Sequence, residues 1–413
     1  MNTEKRNQKL FLTGSFLSLA GDSIFATAMM YYLSQVKHAS FYLSLATLVL
    51  TIPSVFATFI GVFTDRRSPK NVMAVVRAIQ AVLCLGLIWC FKSIPVLLVI
   101  VLLLEIFATI NSVAGVSLTA LIITPQDRSK IIGLLHAVQN SIQLGGRFFG
   151  AALLAWIHPV GVAMANSSSF VLALLCILGI RLPKKPKEIS EENSKKSTIK
   201  EWVEGWKALY HDRLTARFTL AVAIGGAMLV PVQAFLSLIL VNRLHANTFE
   251  FGLAFAMEMI GGIIGGLLGS PIIRRIVSRF GYAIVFFFDF LMMGLSTVVV
   301  GVTSQYGVIV GTMLILGLVQ AFQNITAPTY FMLVNSKEVL GRVIGTVTST
   351  QAFSALLASL ILTGISTVVS VTWILVIAGG ILCLSTIALF AFPLGVLKTN
   401  VQADFTKEQV SDH

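Results

Sequence analysis

Twelve long apolar runs follow one another along this chain, and they leave few folds open to it. They cover approximately residues 11–34, 41–63, 71–91, 95–118, 133–157, 160–181, 216–241, 249–272, 282–303, 307–333, 343–365 and 371–394. Each approaches or exceeds the roughly 20 residues that a helix needs to cross a bilayer core. In lipid such a run must be helical, because a helix satisfies its own backbone hydrogen bonds. The composition agrees: 56% of the 413 residues are hydrophobic and only 12% are charged, against about 25% charged in an average soluble chain. So little charge cannot cover a water-facing exterior. A cytosolic enzyme, a disordered scaffold and a secreted disulfide protein are thereby excluded. The expected fold is an all-α polytopic membrane protein of about twelve transmembrane helices.

The segments between the runs organise the chain. Connections are short except for residues 182–212, a polar stretch that divides the runs into six and six. The expected domains are a six-helix bundle over 1–181, a cytoplasmic linker over 182–212, a second bundle over 213–397 and a tail over 398–413. Within the linker, Ile199, Trp202, Val203, Trp206, Leu209 and Tyr210 recur at helical spacing against Lys200, Glu201, Glu204 and Lys207. That pattern reads as an amphipathic helix on the inner membrane surface. With the N-terminus placed inside, 25 of the 30 Lys and Arg fall in inner segments, and only Lys37, Lys92 and Arg243 fall outside. This is the positive-inside asymmetry, so the net charge of +12 calls for no nucleic acid. Both termini are expected in the cytoplasm, at the plasma membrane. Residues 1–9 are polar, and the first run is too long and too unflanked for a cleaved signal. Cys84, Cys90, Cys176 and Cys383 lie in apolar runs without a CxxC and read as packing residues.

The two halves echo each other. Residues 127–139 (DRSKIIGLLHAVQ) and 339–351 (VLGRVIGTVTSTQ) align Gly133 with Gly345 and Gln139 with Gln351, an offset of 212. Gly61 corresponds to Gly269 at an offset of 208. Parallel six-helix repeats place a substrate site near the midplane between halves in one transporter architecture. The turn Gly61-Val-Phe-Thr-Asp65-Arg66-Arg67-Ser68-Pro69-Lys70 resembles the G-x-x-x-D-R-x-G-R-K signature of the major facilitator superfamily, with Gly61, Asp65, Arg66 and Lys70 matching and Ser68 and Pro69 departing. SLAGDSIFATAMMYYL, VPVQAFLSLILV, GGIIGGLLG and LGRVIG resemble its macrolide-efflux-like, drug-exporting branch. The resemblance implies the major facilitator fold and an inner gate at Asp65 and Arg66, with a contact to Arg342 at the start of the eleventh span. Relatives carry an Asp in the third helix and an Arg in the fourth. Here Arg77 and Glu105 stand there, a swap of charge. Relatives with G-P-x-x-G-G in the fifth helix have proline where this chain has Arg147.

Six ionisable residues other than histidine lie within the spans: Asp22, Arg77, Glu105, Arg147, Glu258 and Asp289. Each costs at least about 2.5–3.5 kcal/mol at a bilayer centre, so each must face protein or water, and most should be paired. Arg147 and Glu258 sit at similar depth, about 15 Å below the outer surface at 1.5 Å per residue. They form one candidate pair, with Asp22 a competing partner for Arg147. Arg77 and Glu105, on sequential antiparallel helices, form another. Four acids against two arginines leave at least two carboxylates without an arginine. Burial without a cation favours the neutral form of an acid, which makes Asp22, then Glu258, and also Glu105, candidates for proton coupling.

Polar side chains in the spans outline a candidate substrate cavity. In the fifth span His136, Gln139, Asn140, Gln143, Arg147 and Gly150 share one face. That face lines either a water-filled cavity or a buried helix contact. Gln233, Gln320, Gln323 and Asn324 add donors and acceptors, or else interhelical hydrogen bonds. Phe25 and Phe235, with Tyr31 and Tyr32, offer an apolar wall. Glu258, Gly262, Gly265, Gly266 and Gly269 on the eighth span suit close helix packing. An apolar cavity with excess carboxylates suits lipophilic cations or amines better than phosphates, which call for clustered Arg or Lys. No GxxxxGK[ST] phosphate loop occurs, so no ATP site or other cofactor is expected and a proton gradient is the expected energy source. HExxH and GxSxG are absent too, and an enzyme or metal site is not expected. The reading is a secondary active drug exporter, monomeric, whose partners are a small-molecule substrate, protons and the lipid bilayer. Export of an endogenous metabolite such as a siderophore or peptide, and nutrient import, remain open alternatives.

Overall fold

The computed structural model describes residues 3–55, 68–90, 93–122, 157–181, 213–335 and 337–391, with isolated positions between 142 and 153. Among the described residues the α-helices are α1 (Thr3–Ser34), α2 (Ala39–Val55), α3 (Pro69–Cys90), α4 (Ile94–Ile122), α5 (His158–Gly179), α6 (Arg213–Met228), α7 (Val230–Leu238), α8 (Thr248–Phe280), α9 (Tyr282–Val302), α10 (Tyr306–Val334), α11 (Lys337–Ile365) and α12 (Val371–Thr386). Short π-helical turns over Ile239–Arg243 and Ile387–Ala391 prolong α7 and α12. Among the described residues no strand occurs, and ten helical stretches are long and apolar enough to span a bilayer. The second span appears as the shorter apolar helix Ala39–Pro53. The fifth span, the linker over 182–212 and the tail over 398–413 lie largely or wholly outside the described residues. The chain is therefore an all-α, multi-pass membrane protein, as its apolar runs dictate.

The described residues cluster into two compact units, 1–193 with 237–256, and 194–236 with 257–413. In the first, α5 packs on α1 and α3, and α4 packs on α2 and α3. Its core is mostly aliphatic, with Leu33, Leu43, Leu87, Leu97 and Ala163 fully buried beside the Phe170 ring. The segment 237–256 belongs to this unit by contact as well. Asn242 Nδ2 donates to the Ser34 carbonyl at 3.1 Å, and the Phe251 ring meets Tyr31 edge-on at 4.9 Å. In the second unit, α12 packs on α6 and α9, α10 on α9, and α11 on α6.

These pairings bear out the internal repeat. The third span packs on the sixth and fourth, as the ninth packs on the twelfth and tenth. The first packs on the sixth as the seventh packs on the twelfth. Gly146 and Gly150 of the fifth span lie against Ser23 and Ile24 of α1, and Gln351 of α11 lies against Gly226 of α6 in the matching place. His38 and His245, 207 residues apart, both adopt left-handed backbone (φ 60° and 51°) in the turn after the first span of their half. The same turn geometry has survived in both copies.

Close crossings explain several glycines. A Cβ on Gly294 would come within 2.6 Å of Cys383 Sγ, and one on Gly379 within 2.6 Å of the Gly294 carbonyl. In α8 the stripe against α10 is Gly261, Gly265 and Gly269, with Gly317 of α10 lying on Glu258. Of the expected face Glu258, Gly262, Gly265, Gly266 and Gly269, all but Gly266 lie at this crossing, and Gly261 joins them. Steps of four from Gly261 keep one face, whereas Gly266 looks into open space.

Candidate functional site

The first unit holds a buried polar cluster where α1, α3, α4 and α5 meet. Gly21 opens it, since a Cβ there would collide with the Asn166 and Ser169 side chains of α5. That close approach brings Asp22 to α5. Its carboxylate accepts from Asn166 Nδ2 and, one turn back on α1, from Ser18 Oγ, both at 3.4 Å. Ser169 Oγ holds Asn166 by donating to its side-chain oxygen at 3.1 Å, and Ser167 Oγ ties α5 to α3 through the Ala81 carbonyl at 2.9 Å. Both bonds to Asp22 are long, so its carboxylate is held loosely.

Arg77 of α3 is 5% exposed. A guanidinium so buried needs a counter-charge, and its charged neighbour is Asp22. Its other contacts are neutral. Nη1 donates to Gln80 Oε1 at 2.9 Å, the guanidinium lies 5.4 Å from the Phe170 ring centroid, and Nε is buried without a hydrogen-bond partner. The Arg77–Glu105 pair expected from the sequence is not formed. Gln80, one turn along α3, fills the space toward α4 and donates to the Leu104 carbonyl at 3.3 Å. Glu105 feels the charge of Asp22, so two acids and one guanidinium share this part of the bundle.

In the second unit Gln320 of α10 donates to Glu258 Oε1 of α8 at 3.5 Å. The same unit contains a cavity of about 220 Å³ between α6, α9, α10 and α11. Its polar wall is Gln323, Asn324, Thr348 and Gln351, and its apolar wall includes Phe218, Phe290 and Phe331. Phe218 packs against both Phe290 and Phe331 at 5.8 and 5.4 Å.

The sequence-derived candidates therefore divide. Asp22 and Arg77 come together, and Gln323 and Asn324 line a cavity. Phe25 and Phe235, expected as cavity wall, are packed into the interior at 7% and 0% exposure. Gln233 is exposed. Lys70 serves the C-terminal end of α5, donating from Nζ to the Leu178 and Ile180 carbonyls at 3.1 and 2.5 Å. There it compensates the helix C-terminus. Gly61, Asp65, Arg66, Gln139, Gln143 and Arg147 lie outside the described residues, as does the side chain of Arg342. The expected pairs Arg147–Glu258, Arg147–Asp22 and Asp65–Arg342 fall there too. Asn166, Ser18, Gln80 and Gln351 were not singled out as site residues. The run Asn166-Ser-Ser-Ser inside an apolar span was a readable signal, and Gln351 was already the repeat partner of Gln139.

Comparison with known proteins places this arrangement. Macrolide efflux protein A of Streptococcus pyogenes is 23% identical over 342 residues, covering 80% of this chain and 82% of the relative. The fold resembles the crystal structure of the nucleoside transporter NupG with a TM-score of 0.70 at 16% identity, covering 95% of this chain and 99% of that one. It also resembles an auto-inhibited POT family peptide transporter, with a TM-score of 0.68 at 10% identity over 93% and 96% of the two chains. At such identities these structures establish the fold alone. The family model described as Major Facilitator Superfamily matches residues 11–350, and the chain belongs to that superfamily of transporters.

Proposed function

We propose that this transporter exports lipophilic, cationic or amine-bearing drugs of macrolide-like kind across the plasma membrane, by alternating access and in exchange for protons. It works as a monomer with both termini in the cytoplasm, and it needs no ATP. The observation that carries the coupling half of this reading is the Asp22–Arg77 arrangement. Ionised, Asp22 compensates the buried guanidinium. Protonated, it leaves Arg77 with Gln80 and the Phe170 face, which is a costly state for a buried cation. The weak bonds from Ser18 and Asn166 let the carboxylate change state without dismantling a strong network. Glu105 on α4 is a second carboxylate in the same part of the bundle, within the electrostatic reach of Asp22.

The substrate half is supported by similarity to the streptococcal macrolide exporter and by a cavity of aromatic and amide side chains without clustered bases. Structural relatives named for nucleoside and peptide transport illustrate that this fold does not choose its cargo. Export of an endogenous metabolite is the competing reading. Susceptibility to macrolides and cationic dyes should be measured in cells with and without the gene, each with and without an uncoupler. Protection that the uncoupler abolishes is expected. Equal susceptibility of the two strains to every compound would refute drug export, and protection that survives the uncoupler would refute proton exchange.

A further inference from the structure

The proposed mechanism uses neither of the buried acids of the second unit, Glu258, which Gln320 bonds, and Asp289. Asp289 of α9 is 4% exposed, and its Oδ2 is buried without a hydrogen-bond partner. A carboxylate deep in a transmembrane helix is costly, and a buried polar atom without a donor adds to that cost. Evolution has had the whole apolar alphabet available at this position. An oxygen kept without a protein donor is an oxygen available to something else.

Its location says what. The Tyr330 ring of α10 touches Tyr282 and Phe286 of α9, at 5.2 and 5.8 Å between centroids. Helices α9 and α10 are consecutive and antiparallel. Continuing along α9 from these contacts to Asp289 therefore corresponds to moving back along α10 to residues 323–327. Gln323, Asn324 and Ala327 at that level line the 220 Å³ cavity, as do Phe290 and Met293 of α9, whereas Asp289 is not in the lining and directly precedes Phe290. The cavity has a further acceptor at this height. Pro328 lies inside α10 and has no N–H for the carbonyl four residues earlier, which is that of Asn324. Carboxylate, amide oxygens and an undonated carbonyl are all acceptors, and Phe218, Phe290 and Phe331 add ring faces that favour a cation. Arg217, at the head of the seventh span, is the one Lys or Arg within the C-terminal spans, and none lines the cavity.

We propose that Asp289, with Asn324 and the three phenylalanines, forms a subsite that receives the ammonium end of a lipophilic cation. A volume of 220 Å³ is below the roughly 300–1,000 Å³ of a drug-sized pocket, so the subsite takes the charged end and leaves the rest of the ligand outside it. The inference rests on the cation-export reading and names where that cation binds.

The test is equilibrium binding to the purified full-length protein in nanodiscs, by fluorescence anisotropy, with two lipophilic dyes. Rhodamine 6G carries the positive charge, and Nile red is uncharged. Asp289→Asn, with the carboxylate removed and the shape kept, should weaken rhodamine 6G binding by about 30-fold or more and leave Nile red unchanged. Asp289→Glu should recover part of the loss. Unchanged rhodamine 6G affinity in Asp289→Asn would overturn the subsite while leaving the export reading standing. Equal losses for both dyes would make Asp289 a packing residue and also overturn it. A wild-type protein that fails to bind rhodamine 6G would overturn the cation reading and the subsite together.

Discussion

Replacing Gly317 with alanine should separate α10 from α8 at the point where Gln320 reaches Glu258. A Cβ on Gly317 would overlap the Glu258 carbonyl oxygen and lie 2.8 Å from both the Glu258 carbonyl carbon and the Gly262 nitrogen. These are backbone atoms, so no rotamer change relieves the clash. Ordinary contact begins at 3.4 Å, and the helices must part to reach it. The Gln320–Glu258 hydrogen bond is already 3.5 Å long, and any such parting breaks it. The overpacking costs about 1–3 kcal/mol and the lost bond about 1 kcal/mol. Gly311→Ala is the matched control, because it lies on the same helix and its Cβ would meet nothing within 4 Å. Both substitutions gain the same helix preference of alanine over glycine, about 1 kcal/mol, so it cancels in the comparison. Gly317→Ala is expected to be about 2–4 kcal/mol less stable than Gly311→Ala, read as thermal unfolding in detergent, and to export dye more slowly. Two variants with the same unfolding temperature and the same export rate would refute the argument that this crossing is closed by glycine.

Three more perturbations follow from the same contacts. Asp22→Asn should abolish uncoupler-sensitive export and destabilise the protein, because Arg77 loses its counter-charge; adding Arg77→Met should recover stability but not export, and a double variant no more stable than Asp22→Asn would count against the pairing. Lys70→Met removes the donor to the Leu178 and Ile180 carbonyls and should lower stability by about 1 kcal/mol, seen as earlier thermal unfolding. Gly379→Ala should destabilise by pressing on the Gly294 carbonyl, whereas Gly380→Ala, facing open space, should be neutral or stabilising; a reversed order in the same melting assay would contradict the α9–α12 crossing.

The spans were legible because lipid sets both their length and their apolarity, and the repeat was legible because glycine and glutamine at crossings leave letters in the sequence. Partner choice was harder. Arg77 and Glu105 lie on consecutive antiparallel helices, which brings their levels close but does not say which side chain occupies the space between. Gln80 occupies it by bonding both Arg77 and the Leu104 carbonyl, and the charged neighbour of the guanidinium is Asp22 instead. The glycine stripe of α8 was read with Gly266 in place of Gly261 for a related reason. GGIIGGLLG contains two interleaved sets at helical spacing, and only the neighbouring helix decides which set is covered. Phe25 and Phe235 looked like cavity wall because aromatic residues serve packing and binding equally well. A sequence records which residue types a helix carries, whereas rotation about the helix axis is set by its neighbours.

Duplication has kept the packing of the two halves alike and let their charges diverge. The third, fourth and sixth spans pack as the ninth, tenth and twelfth do, so the scaffold is one solution used twice. Within it the first half sets two acids against Arg77. The second half carries Glu258, bonded by Gln320, and Asp289, and its one basic residue inside the spans is Arg217, at the head of the seventh. An acid beside a guanidinium changes the energy of its surroundings when a proton arrives. An acid among amides and aromatic rings gains most when a cation arrives. In the proposed exporter, proton and cargo are thus read by different halves of one duplicated frame. Asp22→Asn should then bind the cationic dye normally and fail to move it, whereas Asp289→Asn should fail at binding. If both variants lost binding equally, the two acids would be serving one site, and the division of labour between the halves would fall.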